Sequence, residues 1–154
     1  MSERDHDIVI AGGGIAGLTA AIALGRQGHS VLLVDPGPAG GRPDPRSTAY
    51  LDPSRRFLDA IGIWPALAPQ ATELAALRVI DSAGSPALIQ TERVFQPQDV
   101  GCDAFGWNVP NDTARAALIA AIDGLDSVQL AYGVGITSLF TRTTSGRPFR
   151  LCSM

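Results

Sequence analysis

Along the first 35 positions the spacing of apolar residues changes twice. Ile8 to Ala11 is an unbroken apolar run of strand length, and after a glycine cluster Ile15, Leu18, Thr19 and Ile22 recur at i, i+3, i+4 and i+7. This pattern predicts a short buried strand, a turn, and a helix continuing to about Gln27, with Gly28 placed to end it in the left-handed conformation. Ser30 to Val34 is a second apolar run, a strand that delivers Asp35.

Beyond Asp35 the pattern weakens. Residues 36–44 are dense in proline and glycine and predict a loop. Asp52 reads as an N-cap with Pro53 at the first helical position, opening a helix to about Ile61 closed by Gly62; Ile63, Trp64 and Pro65 start another short turn, with Trp64 expected in the core. Leu74 to Asp81 and Pro86 to Thr91 read as a hairpin around residues 82–85. Residues 92–104 read as an irregular segment in which Glu92, Asp99 and Asp103 are solvated.

A second helix is predicted from about Asp112 to Asp123, with Asn111 as N-cap and Gly124 beyond its end. Ala114, Leu118, Ala121, Ile122 and Leu125 form its apolar stripe; Arg115 lies off it, which by burial habit alone makes it a solvent-facing arginine. Ser127 to Ala131 and Ile136 to Phe140 read as the last strands.

Totals narrow the classes without choosing among them. The 154 residues, 45% hydrophobic and 18% charged, suit one globular domain. A formal net charge of −3 gives no electrostatic footprint for nucleic acid. Cys102 and Cys152 lie 50 residues apart with no secretory signal, which favours reduced thiols and a cytoplasmic location. His6 and His29 are isolated, so no metal site is expected. The uncharged run from Ile8 to Gly25 is only 18 residues long, holds five glycines and has an acidic flank, against a membrane span or a signal peptide.

The chemistry concentrates at the opening. Gly12, Gly14 and Gly17 have the G-x-G-x-x-G spacing at a strand-to-helix turn: the first permits the turn, the second lets a pyrophosphate approach the backbone, and the third lets the helix lie close to the strand. Asp35, 23 residues after Gly12, stands where such a fold puts a carboxylate on the adenosine ribose. A free acid there disfavours a 2′-phosphate, so FAD or NAD is expected rather than NADP. The glycines alone would be weak evidence in a chain with 17 of them; strand, helix, second strand and acid together are specific.

Four stretches in order resemble the flavoprotein monooxygenases of the aromatic-hydroxylase group, specifically the ubiquinone-biosynthesis hydroxylases. They are Gly12 to Gly17 with Asp35; Asp44-Pro45-Arg46-Ser47-Thr48-Ala49-Tyr50-Leu51, similar to the family's D-x-R-[AS] stretch; Phe57 to Trp64; and Gly106 to Leu118, similar to its N-x-x-x-R-x-x-L stretch. The resemblance implies an α/β fold: a Rossmann-like FAD-binding domain with a central parallel sheet plus additional β-hairpins, over residues 1–140. It implies FAD with its adenosine on Asp35, its pyrophosphate over Gly12 to Gly17, Arg46 on the flavin side, and Asn111 with Arg115 near the pyrophosphate and ribityl chain. That use of a cationic fork shifts Arg115 from a surface role to a cofactor role. In the family NAD(P)H and O2 serve hydroxylation of a polyprenylated phenol, a small-molecule aromatic substrate whose membrane solubility implies a peripheral membrane encounter.

The resemblance stops near Phe140. The family continues through G-A-D-G and G-D segments absent here, whereas residues 141–154 hold three arginines and no acid. This ending reads as a truncation or a shifted reading frame with a disordered tail. The expectation is the adenosine end of a hydroxylase that is not competent alone and names no catalytic acid or base. A nucleotide-binding module completed by a partner chain and the product of a broken gene are the alternatives.

Overall fold

The structure, a computed structural model, describes residues 6–138. Strand β1 (Ile8–Ala11), helix α1 (Ile15–Arg26) and strand β2 (Val31–Asp35) form the opening unit. The chain then passes through β3 (Ser47–Leu51), α2 (Asp52–Ala60), α3 (Trp64–Leu67), β4 (Thr72–Glu73), β5 (Leu77–Ala83) and β6 (Leu88–Phe95). It closes with β7 (Gly106–Pro110), α4 (Asn111–Ile122) and β8 (Val128–Tyr132). Short 3-10 turns cover Ala68–Gln70 and Pro97–Val100.

These strands make three sheets. The first is parallel in the order β1-β2-β8, with Ile8 opposite Val31 and Asp35 opposite Tyr132. β2 lies between its neighbours, which accounts for its continuous apolar run rather than alternation. The second sheet is antiparallel, in the order β3-β7-β4, and the third is the β5-β6 hairpin by itself.

The core lies where α1 and α4 meet the first two sheets. Leu18 and Ile22 of α1, Leu33 of β2, Val109 of β7 and Leu118 of α4 are among its buried members. Trp64 and Trp107 pack edge to face at 5.7 Å beside this cluster, and Arg55 lies over the Trp107 ring. The expected stripe on α4 is there: Ala114, Leu118 and Ile122 are buried, and Ala121 and Leu125 pack against them.

Several sequence expectations are corrected. The hairpin is displaced, with strands at Leu77–Ala83 and Leu88–Phe95, because apolar residues fall on both of its faces and no alternation marks its ends. Glu92 is therefore in a strand, where it pairs with Arg78 across the hairpin at 2.8 Å, and Asp99 forms a capping box with Gln96. Strands β3 and β7 were not expected, although their register from Ser47↔Pro110 to Leu51↔Gly106 carries two of the resemblance stretches. Gly106 permits this approach: a Cβ there would overlap the Tyr50 carbonyl and stand 2.9 Å from Leu51 Cα.

Helices α2 and α4 each start one residue early, so Asp52 and Asn111 are first helical residues and neither side chain caps its helix. Asp52 instead pairs with Arg56 at 2.7 Å and Arg55 at 3.4 Å. Gly28 and Gly62 do follow α1 and α2 with positive φ. Residues 136–138 form no strand; positions 139 and 140 of that expected element, and the 141–154 tail with Cys152, lie outside the described residues.

Candidate functional site

The turn between β1 and α1 is held from both sides. Gly12 has φ +113°, and its N–H donates to the Val34 carbonyl at 2.8 Å, tying the turn to the end of β2. Gly14 is the extended residue before α1, and a Cβ on it would meet nothing within 4 Å. Gly17 is the reverse case: a Cβ would overlap the Gly12 carbonyl oxygen. The helix start is thus pressed onto the turn while the face above Gly14 is open. Uncovered backbone at a helix N-terminus suits a pyrophosphate.

Asp35 lies at the same end of the sheet. Its carboxylate accepts the Gly13 N–H at Oδ2 and the Gly37 N–H at Oδ1, both at 2.6 Å. Each oxygen keeps further acceptor capacity, which suits the hydroxyl pair of a ribose. Gly13, whose Cβ would stand 3.1 Å from Asp35 Cβ, is a participant that the G-x-G-x-x-G spacing does not single out. Tyr132, opposite Asp35 in register, has a buried hydroxyl with no partner among the described residues. Burial, and then the Asp35 charge, push its titration up.

A second group centres on Asp44. Its carboxylate accepts Arg46 Nε at 2.8 Å, Arg46 Nη2 at 2.9 Å and Asn111 Nδ2 at 2.8 Å. Asn111 is buried, and its Oδ1 accepts the Thr48 hydroxyl at 2.6 Å. The Asp44 N–H donates to Asp112 Oδ1 at 3.0 Å, and that oxygen also receives Arg115 Nη1 at 3.3 Å. Arg115 is only 15% exposed rather than solvent-facing, because Nη1 turns onto the Arg42 carbonyl at 2.7 Å and touches Gly40 at 3.4 Å.

The expected site residues therefore form two groups. Gly12, Gly14, Gly17 and Asp35 converge on one end of the parallel sheet, whereas Arg46, Asn111 and Arg115 are linked through Asp44 and Asp112. The 36–46 loop runs between the groups, fixed at Gly37 by Asp35 and at Asp44 by Asp112. Asp44 and Thr48 belong to the second group although the sequence reading gave them no role; the signal was their place in the D-x-R stretch. Among the described residues, no group of three or more His, Cys, Asp or Glu could hold a metal ion, and no helix is long and apolar enough to cross a membrane.

A family model described as FAD dependent oxidoreductase matches residues 7–92. The ubiquinone hydroxylase UbiL of Rhodospirillum rubrum is 30% identical over 146 residues, covering 90% of this chain and 32% of that protein. The solved structure of the p-nitrophenol 4-monooxygenase PnpA from Pseudomonas putida superposes with a TM-score of 0.73 at 18% identity, covering 92% of this chain and 35% of its own. The flavin-dependent monooxygenase PieE, solved with FAD and substrate, also gives a TM-score of 0.73, at 24% identity, covering 92% of this chain and 26% of its own. The chain spans 26–35% of the length of these relatives.

Proposed function

This chain belongs to the FAD dependent oxidoreductase family, with FAD as its cofactor, and from that premise we propose that it forms the adenosine and pyrophosphate part of the FAD site of an aromatic monooxygenase and contributes donors toward the flavin end. The observation that carries this reading is the paired geometry at the turn, closed at Gly17 and open above Gly14, with the Asp35 carboxylate beside it. Gly12 to Gly17 would hold the pyrophosphate against the start of α1, and Asp35 would hold the adenosine ribose. Arg46, Asn111 and Arg115 would serve the remainder of the cofactor through the second group.

When bound, FAD supplies the redox chemistry, and the protein supplies orientation and exclusion of water. The reaction class is hydroxylation of a phenolic ring with NAD(P)H and O2. A polyprenylated phenol is the preferred substrate class because the match to a ubiquinone hydroxylase covers 90% of this chain. Titration of the purified chain with FAD and with NADPH, followed by flavin fluorescence and calorimetry, tests the site. Saturable FAD binding weakened at least about tenfold by Asp35→Ala is expected, the scale of one charged-group hydrogen bond. Equal FAD affinity of Asp35→Ala and the parent chain would refute the ribose assignment.

A further inference from the structure

The Asp44 side chain, 15% exposed between the exposed Pro43 and Pro45, has partners in two separate segments. It accepts from the Nε and Nη2 edge of Arg46, two residues along, and from the Asn111 amide, 67 residues along. The same segment is joined to α4 through its backbone: Asn111 N–H donates to the Arg46 carbonyl at 2.9 Å, and Asp44 N–H donates to Asp112. A loop residue that only covered surface would need neither link.

The consequences follow from the inventory of donors. An 80% exposed arginine side chain is ordinarily spread over many rotamers, and both Lys and Arg carry about 2 kcal/mol of rotamer entropy. Here one edge of the planar guanidinium is fixed by a bidentate contact, so the Nη1 hydrogens and the outer Nη2 hydrogen point in a set direction. Asn111 is fixed in the same way. A carboxylate only accepts, so Nδ2 must face Asp44, and Oδ1 is left for the Thr48 hydroxyl. One Nδ2 hydrogen remains. The hydrogen bonds from Arg46 and then Asn111 hold the Asp44 carboxyl well below the usual carboxylate range, so it is anionic wherever the protein is folded near neutrality.

The pair Asp44 and Arg46 carries no net charge. Its free donors are therefore suited to an uncharged acceptor more than to a phosphate, which would meet the Asp44 charge as well. Both ends of FAD offer uncharged acceptors; with the adenosine ribose assigned to Asp35, the hydroxyl and carbonyl oxygens of the ribityl and flavin end are left for these donors.

We propose that Asp44 is a positioning residue for the flavin end of the cofactor: its carboxylate fixes Arg46 and Asn111, from two separate segments, in one donor arrangement. The inference rests on the FAD reading given above and adds a residue and a division of labour to it. Asp44 acts through Arg46 and Asn111, so it serves FAD and not the ADP portion alone.

Calorimetric titration of the 154-residue chain with FAD and with ADP, for the parent, Asp44→Asn and Asp44→Glu, tests this division. Both variants are expected to bind FAD at least about tenfold more weakly, with ADP affinity within about twofold of the parent. Unchanged FAD affinity overturns the proposal, as does an equal fall for FAD and ADP, which marks Asp44 as merely structural. A parent chain that binds no FAD overturns the FAD reading, and this inference with it. Nitrogen NMR of the parent reads the contact without altering Asp44: the Arg46 Nε–H, identified by its loss in Arg46→Lys, is expected to exchange slowly with water and to shift with FAD but not ADP. Exchange as fast as that of a free arginine removes the contact on which the proposal stands.

Discussion

Gly14 and Gly17 sit three residues apart in one motif, yet added methyl groups would meet opposite surroundings. At Gly17 the methyl runs into the Gly12 carbonyl, backbone that cannot rotate away, so Gly17→Ala is expected to cost about 1–3 kcal/mol of stability in urea unfolding. At Gly14 the methyl enters open space with φ already at −74°, so Gly14→Ala is expected to cost at most about 1 kcal/mol, the penalty of alanine at an N-cap. Its effect should appear in FAD affinity, at least about tenfold weaker because the methyl fills the space a phosphate needs. Equal FAD affinities for the parent and Gly14→Ala would show that nothing approaches that face. These roles were legible in the sequence because the motif's residues are local. Asp44 was not, since its meaning depends on Asn111, 67 positions away.

At the scale of elements, the 36–46 loop is fastened to α4 more than to the sheets. Arg115 reaches from the first turns of α4 to the Arg42 and Gly40 carbonyls, and Asp112 accepts the Asp44 N–H. Arg115→Ala is expected to release this fastening, lowering hydrogen-exchange protection of the Asp44 amide roughly tenfold while amides of β2 keep theirs. Unchanged protection at Asp44 would mean that Asp112 and Asn111 hold the loop without Arg115. Elements with a clear period were readable in advance: β1, α1, β2 and α4 fall within a residue or two of expectation. The five-residue strands β3 and β7 were not, because neither has a turn partner: β3 pairs with β7, and β7 lies between β3 and β4, both distant from it in sequence. The same long-range pairing places Thr48 opposite Val109, next to Asn111.

The whole molecule divides into parts of unequal support. The parallel sheet is packed by α1 and carries fully buried Val31 and Leu33, whereas the β5-β6 hairpin pairs, among the described residues, only with itself and exposes Leu77, Val79, Ile80, Leu88, Ile89 and Val94. A two-stranded hairpin is marginal in water unless a face is covered. Its Arg78 to Glu92 pair, both partners well exposed, adds little. Amides of 77–95 are therefore expected to exchange by local opening, well before those of β1 and β2, which open only with the whole fold. The two classes should respond differently to FAD. Ligand bound at Gly12 to Gly17 stabilises the folded state by mass action, about 2.7 kcal/mol at a hundredfold excess over Kd. It should slow exchange in β1 and β2 and leave the hairpin unchanged. Hydrogen-exchange mass spectrometry with and without FAD reads both regions in one experiment. Protection of the hairpin equal to that of β2 without ligand would contradict this division, because the apolar side chains of 77–95 would then have to be covered by something beyond the described residues.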